Sequence, residues 1–540
     1  MRTSGEPSTD EDSHLQPAST DSNVSPGSIS TASDTDVCDN MIARLCSGRR
    51  QLNSDRAGRL RFFGPTSSLH LTESIVSSVL IRESRGSKHN LRWQDDFSAE
   101  VQDYLFNLYW TYQHPVMPCI HKDAFLQDMA NGDTRYCSKL LVYCILTRAA
   151  SICDQPWLRT LALSDDADDD PPYLVGRCSA LLDVELNNPS LTTTQALQLL
   201  SEMYCAISHD TKGWMYAGGA GRLAYELGLH SDTACFDANL TDLDKEVRQI
   251  VFWSTFNLDR AWSLYHGRPH SIKLEDVSVQ KLDSTSQTTS WDGRLSAAWS
   301  GLLEIVGEIC DMLNGPQATN GRTGDLSERL TTWSANLGLE LSYYATQSPA
   351  VILLHMQHAS AQILLHRPQA QFGRASIDVN PERDASRRIC VENACTIADY
   401  LKDYSGCYGS VSTMSWVALH IIATAATTLI AAAVEGREMS DPVQLLTCLK
   451  MCLGSLGELE KSHVVTRRVK KVIQHAMRLL HLDEQLASDW SMTSMPWIGT
   501  SQQLTPFIED PSLKPTVNLL NCLPTGGQFD MLHSFNAYFT

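Results

Sequence analysis

From about Ser98 to Leu482, apolar residues recur at spacings of three and four, and no convincing series of alternating β-strands is visible. That spacing places side chains on one face of a 3.6-residue helix, whereas a strand would need alternation with period two. The stretches are Tyr104 to Gln113, Gln195 to Ile207, Trp214 to Leu227, Val247 to Tyr265, Leu302 to Leu313, Ala350 to Leu365, Cys390 to Leu401, Ser415 to Val434 and Leu445 to Leu482. An all-α, multi-helix fold is therefore expected. Punctuation residues mark the ends of several stretches. His114-Pro115 stops the first run, because proline lacks the N–H the next turn needs. Asp210 or Thr211 can cap the helix containing Trp214, and Gly228 suits the left-handed position just past Leu227. Gly267 ends the following helix, and Pro269 prevents its continuation. On the Trp214 helix, Ala217, Gly218, Gly221 and Ala224 form a small-residue face, predicted to let a second helix backbone come close.

The 540 residues carry 43 Lys or Arg against 62 Asp or Glu, a net charge of −19. That sign excludes a protein that coats nucleic acid non-specifically. Sixteen cysteines are too few for a secreted disulfide scaffold. Ser, Glu, Asp and Pro follow Met1-Arg2 where a signal peptide would place an apolar core, so a reducing compartment is expected. Trp416 to Val434 runs without a charge, but its Ala and Thr content and His420 favour a core helix over a membrane span. No membrane partner is expected.

Five segments follow from composition. Residues 1–40 form an acidic, Ser/Thr-rich tail that cannot bury enough apolar surface to fold, and 41–97 form a basic linker. Residues 98–375 are the main helical domain, with 376–490 as its helical extension. Residues 491–540 are a tail with Pro496, Pro506, Pro511, Pro515 and Pro524. Its Trp497, Phe507, Phe529, Phe535, Tyr538 and Phe539 lie among Glu509, Asp510 and Asp530, with Lys514 its only basic residue. That composition suits an activation segment contacting coactivators, and equally a tail whose aromatics fill pockets on the helical domain.

Enzyme signatures are missing: there is no Gly-x-Ser-x-Gly elbow, Walker loop or His-Glu-x-x-His helix. Gly219-Ala220-Gly221-Arg222-Leu223-Ala224 fits a dinucleotide fingerprint with Asp244 about twenty residues on, but it sits within a helical pattern where a strand should lead in. Pairs with metal-ligand spacing (His266 and His270, His355 and His358, Cys448 and Cys452) have no third or fourth ligand nearby, so structural roles are expected. No catalytic, cofactor-binding or metal residue is assigned. The basic run Arg467, Arg468, Lys470 and Lys471 reads either as a nuclear import or phosphate-contacting signal or as the solvated face of a helix whose buried side carries Val464, Val469, Val472 and Ile473.

Four segments, in order, carry a resemblance: LYWTYQHPVMPCIHKDAFL at Leu108 to Leu126, with His114, Pro115, His121 and Phe125; GWMYAGGAGRLAYELGLH at Gly213 to His230, with Trp214, Gly221, Leu227 and Gly228; FWSTFNLDRAWSLYHGRP at Phe252 to Pro269, with Trp253, Asp259, Arg260, Gly267 and Arg268; and LLHMQHASAQILLHRP at Leu353 to Pro368. Together they resemble the middle homology region of the fungal zinc binuclear cluster transcription factors, and GRLRFFGPTSSLHL at Gly58 to Leu71 resembles that family's linker. The resemblance implies an all-helical regulatory domain, control of RNA polymerase II genes such as a metabolic or biosynthetic set, and nuclear residence. As partners it implies DNA, a second copy of the chain, coactivators or other transcription machinery, and a small-molecule inducer. The alternatives are an interaction-only co-regulator and a helical small-molecule-binding protein. Asp259, Arg260 and Arg268 then read as a regulatory polar network or, the favoured reading, as structural pairing of partly buried charges. The family's DNA-reading cluster holds two zinc ions on six thiolates, yet only Cys38 and Cys46 precede Cys119, and no Cys-x-x-Cys occurs. No cofactor is therefore expected in this chain, and zinc is expected only if a cluster lies upstream of Met1.

Overall fold

Ser98 opens the first helix by accepting a hydrogen bond from the Val101 amide, and fourteen more helices follow among the described residues. The computed structural model describes residues 51–54, 60–63 and 97–482, except 164–170, 236–239, 283–289, 316–321, 345–347, 373–379, 436–440 and 481. The acidic tail and the C-terminal aromatic tail lie outside the described residues.

The helices are α1 (Ala99–Leu108), α2 (Lys122–Asn131), α3 (Lys139–Ile152), α4 (Pro156–Thr160), α5 (Tyr173–Glu185), α6 (Leu191–Ala206), α7 (Asp210–Glu226), α8 (Asp242–His266) and α9 (Trp291–Asn314). They continue with α10 (Thr323–Ala335), α11 (Pro349–Ala370), α12 (Pro381–Tyr408), α13 (Val417–Glu435), α14 (Pro442–Leu459) and α15 (Thr466–Leu479). One antiparallel hairpin joins Gln51–Ser54 to Leu60–Phe63 in the basic linker, with Gln51 opposite Phe63. The sequence reading contained no strands, because two four-residue strands are too short for alternation to show.

Two apolar clusters form the interior, and α8 runs through both. Its first half sends Val247, Val251, Phe252, Trp253 and Phe256 into a cluster built with α1 to α7. Its second half sends Leu258, Ala261, Trp262 and Tyr265 into a larger cluster built with α9 to α15. Helix α13 is a core helix: Ile421, Ile422, Ala425, Ala426 and Leu429 are fully buried, and 72% of its apolar 18-residue window lies inside the protein.

Three helix limits differ from the sequence reading. The stretch from Leu445 to Leu482 breaks into α14 and α15, because the Val465 amide donates to the Ala206 carbonyl on another helix (3.2 Å) instead of continuing its own ladder. Helix α7 starts after His209, not on an Asp210 or Thr211 cap. Ser208 adopts a left-handed φ of 67°, and Asp210 already lies in the first turn. Helix α11 continues through Pro368 to Ala370. Gly228 and Gly267 do take left-handed conformations, with φ of 64° and 63°.

The Ala217, Gly218, Gly221 and Ala224 face is not where helix backbones meet. A methyl group at Gly218 or Gly221 would find no atom within 4 Å. The close approach is at Gly213, where a methyl would lie 2.6 Å from the Ser201 carbonyl oxygen of α6 and 2.8 Å from the Trp262 ring of α8.

Candidate regulatory site

Trp253, Asp259 and Arg260 of the resembling segments, with the His230 carbonyl, hold one irregular stretch, residues 267–282, against α7 and α8. Gly267 ends α8, and the chain turns back along it. Asp259 then accepts the Ser271 amide (2.9 Å) and the Ile272 amide (2.9 Å), while Arg260 Nη2 donates to the Ile272 carbonyl (2.8 Å). Arg260 also pairs with Asp259 at 3.0 Å and lies 4.3 Å from the Phe256 ring centroid. It fits because residue 307 is glycine: a methyl there would lie 2.8 Å from Arg260 Cδ. Farther along, Gln249 Nε2 and Trp253 Nε1 both donate to the Gln280 carbonyl at 2.8 Å. The His230 carbonyl accepts the Ser278 and Val279 amides. Each bond supplies a partner to a backbone group that has no helix or sheet to satisfy it. Arg268 is separate from this lattice, its guanidinium 4.5 Å from the Trp214 ring centroid, and Pro269 follows it without a helical bond.

A second group lies where α1 ends. His114 is buried in a 3-10 turn with Pro115, its ring 4.9 Å from that of Trp110, and its Nε2 faces Asp292 at 3.8 Å. His121 caps α2 by accepting the Ala124 amide at Nδ1 (3.2 Å), which leaves Nε2 facing Glu246 at 3.6 Å. Phe125 packs edge-on against Trp110 and Phe106. Burial would raise the Asp292 carboxyl, but the hydrogen bond and charge of His114, with Lys122 and His121 behind it, hold it below its ordinary value.

The sequence reading missed a third group entirely. Arg148 has no exposed surface; its Nη2 donates to Gln113 Oε1, and its Nε faces Glu202 at 3.5 Å. Gln113 in turn donates to the Thr413 carbonyl at 2.8 Å, three hundred residues away. Burial pulls the Arg148 pKa down and pushes that of Glu202 up, each partly opposed by the other's charge. A lone arginine in an apolar helix carries no sequence signal for such a pair.

The basic run lies on α15 and makes intramolecular contacts. Arg467 Nε donates to Glu460 at 2.9 Å, Lys470 pairs with the same carboxylate, and Arg468 reaches the Ser208 carbonyl (2.7 Å) and Asp210 (3.3 Å). Lys471 lies on the same helix. Of the histidines with ligand spacing, His355 Nε2 donates to the Leu341 carbonyl at 2.8 Å and His358 Nε2 to the Leu330 carbonyl at 3.2 Å. Gly221 is buried, and Leu227 and Gly228 offer their carbonyls to Arg248 at 2.7 and 3.1 Å. That arginine lines a cleft of about 1210 Å³ between the starts of α3, α6 and α8.

The architecture is an all-helical scaffold whose motif residues organise backbone and buried charge. Residues 106–300 match the model of the fungal specific transcription factor domain, and the chain carries that domain. The chain is 25% identical over 403 residues to the nitrogen assimilation transcription factor nirA of Emericella nidulans, covering 69% of this chain and 44% of the relative. It is 26% identical over 395 residues to the nitrogen assimilation transcription factor nit-4 of Neurospora crassa, covering 65% and 36%. A transcriptional regulatory protein of Schizosaccharomyces pombe is 28% identical over 422 residues, covering 70% and 66%. The chain thus spans less than half the length of the first two relatives. No solved structure matches.

Proposed function

We propose that this protein is a nuclear regulator of RNA polymerase II transcription controlling a metabolic gene set, and that its helical body sets activity without catalysing a reaction. The observation that carries the reading is the domain match over residues 106–300, within which Asp259, Arg260, Trp253 and His230 all hold one irregular segment against α7 and α8. Relatives named as nitrogen assimilation factors support the metabolic assignment. DNA contact, a second copy of the chain and coactivators are the partners this role calls for.

The test tethers the 540-residue chain to a heterologous DNA-binding domain upstream of a reporter, alongside transcript profiling after deletion of the gene. The expected result is a change in reporter output and a coherent group of altered transcripts of nutrient metabolism. Reporter output equal to the DNA-binding domain alone, together with an unchanged transcript profile across nitrogen and carbon sources, refutes the proposal. A second fusion carrying residues 496–540 alone locates the activation function if the aromatic tail holds it.

A further inference from the structure

Twelve cysteines lie among the described residues, and ten of them are buried. Cys407 is exposed and Cys395 half-buried. Two pairs of thiols are hydrogen-bonded to each other across a contact between helices. Cys144 of α3 meets Cys178 of α5, and the two are 1% and 0% exposed. Cys395 of α12 meets Cys448 of α14, and this pair stands at the protein's margin. Cys395 lies between the buried Ala394 and the exposed Asp399 on its helix, and Cys448 follows the exposed Thr447 and keeps 7% of its own surface exposed. The spacing of Cys448 and Cys452 therefore does not make them partners: Cys452 is in the core, while Cys448 faces another helix. Among the described residues no group of three or more side chains is placed to hold a metal ion, which leaves the chemistry of one thiol with another.

The thiolate is the nucleophile, so reactivity follows access and the ease of losing the proton. Burial raises the Cys144 thiol well above its ordinary value. Cys119, Cys137, Cys310 and Cys390 are pushed up to about 12 in the same way. Cys448 moves in the opposite direction: the hydrogen bond from Cys395 holds it below the ordinary thiol value, against burial and the charge of Asp399. Cys395 is raised, first because its proton is the one given to Cys448. An accessible sulfur with thiolate character beside a second thiol is the arrangement that oxidants select.

We propose that Cys395 and Cys448 are a peroxide-reactive dithiol that closes to a disulfide joining α12 to α14, with Cys448 as the attacking thiol and Cys395 as the resolving one. The Cys448 thiolate attacks one oxygen of hydrogen peroxide: an S–O bond forms, the O–O bond breaks, and hydroxide leaves with the proton that Cys448 gave up, as water. Cys395 sulfur then attacks the Cys448 sulfenic acid: the S–S bond forms, the S–O bond breaks, and hydroxide takes the Cys395 proton as a second water. Two thiols are oxidised and one peroxide is reduced, and a dithiol reductant reverses the change. The bond closes a loop of chain from Cys395 to Cys448 that contains α13, so the oxidised state ties together the helices around that core helix. This chemistry is independent of the function proposed above.

The test treats the purified, reduced 540-residue chain with a small molar excess of hydrogen peroxide, blocks the remaining thiols, and maps tryptic peptides by mass spectrometry. Cleavage at Arg388, Lys402, Arg437 and Lys450 places Cys395 on Ile389–Lys402 and Cys448 on Glu438–Lys450, apart from Cys452. The expected product is the disulfide of these two peptides, formed while Cys144 and Cys178 stay reduced and lost on adding dithiothreitol. The oxidised chain should melt a few degrees higher than the reduced one. Because Ile389–Lys402 also carries Cys390, Cys395→Ser must abolish the link; in that variant Cys448 should accumulate as the sulfenic acid, trapped by dimedone. Cys448→Ser should leave Cys395 unlabelled by dimedone, and Cys452→Ser should keep the link. The wild-type peptide map stands even where a core variant fails to fold. Absence of the linked peptide from the native chain, a Cys144–Cys178 link forming first, a link that survives Cys395→Ser, or an oxidised chain that melts no higher than the reduced one overturns the proposal.

Discussion

Replacing Gly213 with alanine tests the packing of α7 more sharply than any change on the face its sequence advertises. In a helix, Gly→Ala alone gains up to about 1 kcal/mol, because alanine has less backbone entropy to lose. At position 213 the added methyl would lie 2.6 Å from the Ser201 carbonyl oxygen and 2.8 Å from Trp262 Cη2 and Cζ2. Neither neighbour can step aside easily. Ser201 belongs to the backbone of α6, and Trp262 is 1% exposed in the larger core. Overpacking typically costs about 1–3 kcal/mol, and a clash with backbone belongs to the upper part of that range, about 2–3 kcal/mol, so after the propensity gain the net effect is a loss of about 1–2 kcal/mol, seen as a melting temperature lower by a few degrees. Gly221→Ala, where the methyl meets nothing within 4 Å, keeps the propensity gain and should melt at or slightly above wild type. Thermal melts of the two variants beside wild type decide the matter. Gly213→Ala as stable as wild type, or Gly221→Ala the less stable of the pair, would show that the α6–α7–α8 contact is not as described.

Three further outcomes follow from the buried polar groups and a fourth from the cysteine spacing. Asp259→Ala removes the acceptor of the Ser271 and Ile272 amides and the partner of Arg260, and should lower stability by about 2–4 kcal/mol in denaturant titration; an unchanged midpoint would show that the 267–282 stretch is held by other contacts. Arg148→Met strands the Glu202 carboxylate and should cost about 3–5 kcal/mol, whereas adding Glu202→Leu should recover most of that loss; a double variant as unstable as the single one contradicts a coupled pair. His358, whose pKa burial lowers to about 4, is neutral in the folded state, so the unfolded chain binds the extra proton. Stability is unaffected above pH 6.5 and falls by up to about 3 kcal/mol as pH drops from 6.5 to 4; His358→Gln should flatten that slope in pH-dependent melts, and an identical slope would refute the assignment. Metal analysis of the purified 540-residue chain should find less than one zinc per chain, since it has no Cys-x-x-Cys pair; two tightly held ions would overturn this.

What the sequence by itself determined is the local layer. The 3.6-residue spacing establishes helices, Gly228 and Gly267 mark left-handed ends because only glycine takes φ near 64° without strain, and the charge-free Ala-rich run becomes α13 in the core. The Leu-Asp-Arg segment announced polar residues needing partners, and the structure supplies those of Asp259 and Arg260 within one short stretch of chain, while Arg268 meets Trp214 instead. Helix α3 escaped notice because thirteen of its fourteen residues are buried, so no polar face reveals its period. Which charges meet was decided by tertiary structure alone. Arg148 finds Glu202 and Gln113, Arg468 finds Asp210, and Gly213 rather than Gly221 bears the close contact. Helical spacing fixes which face a residue occupies and says nothing of what a distant helix brings opposite it. The cleft at Arg248 is of the same kind: it exists only where the starts of α3, α6 and α8, more than a hundred residues apart from first to last, are packed side by side.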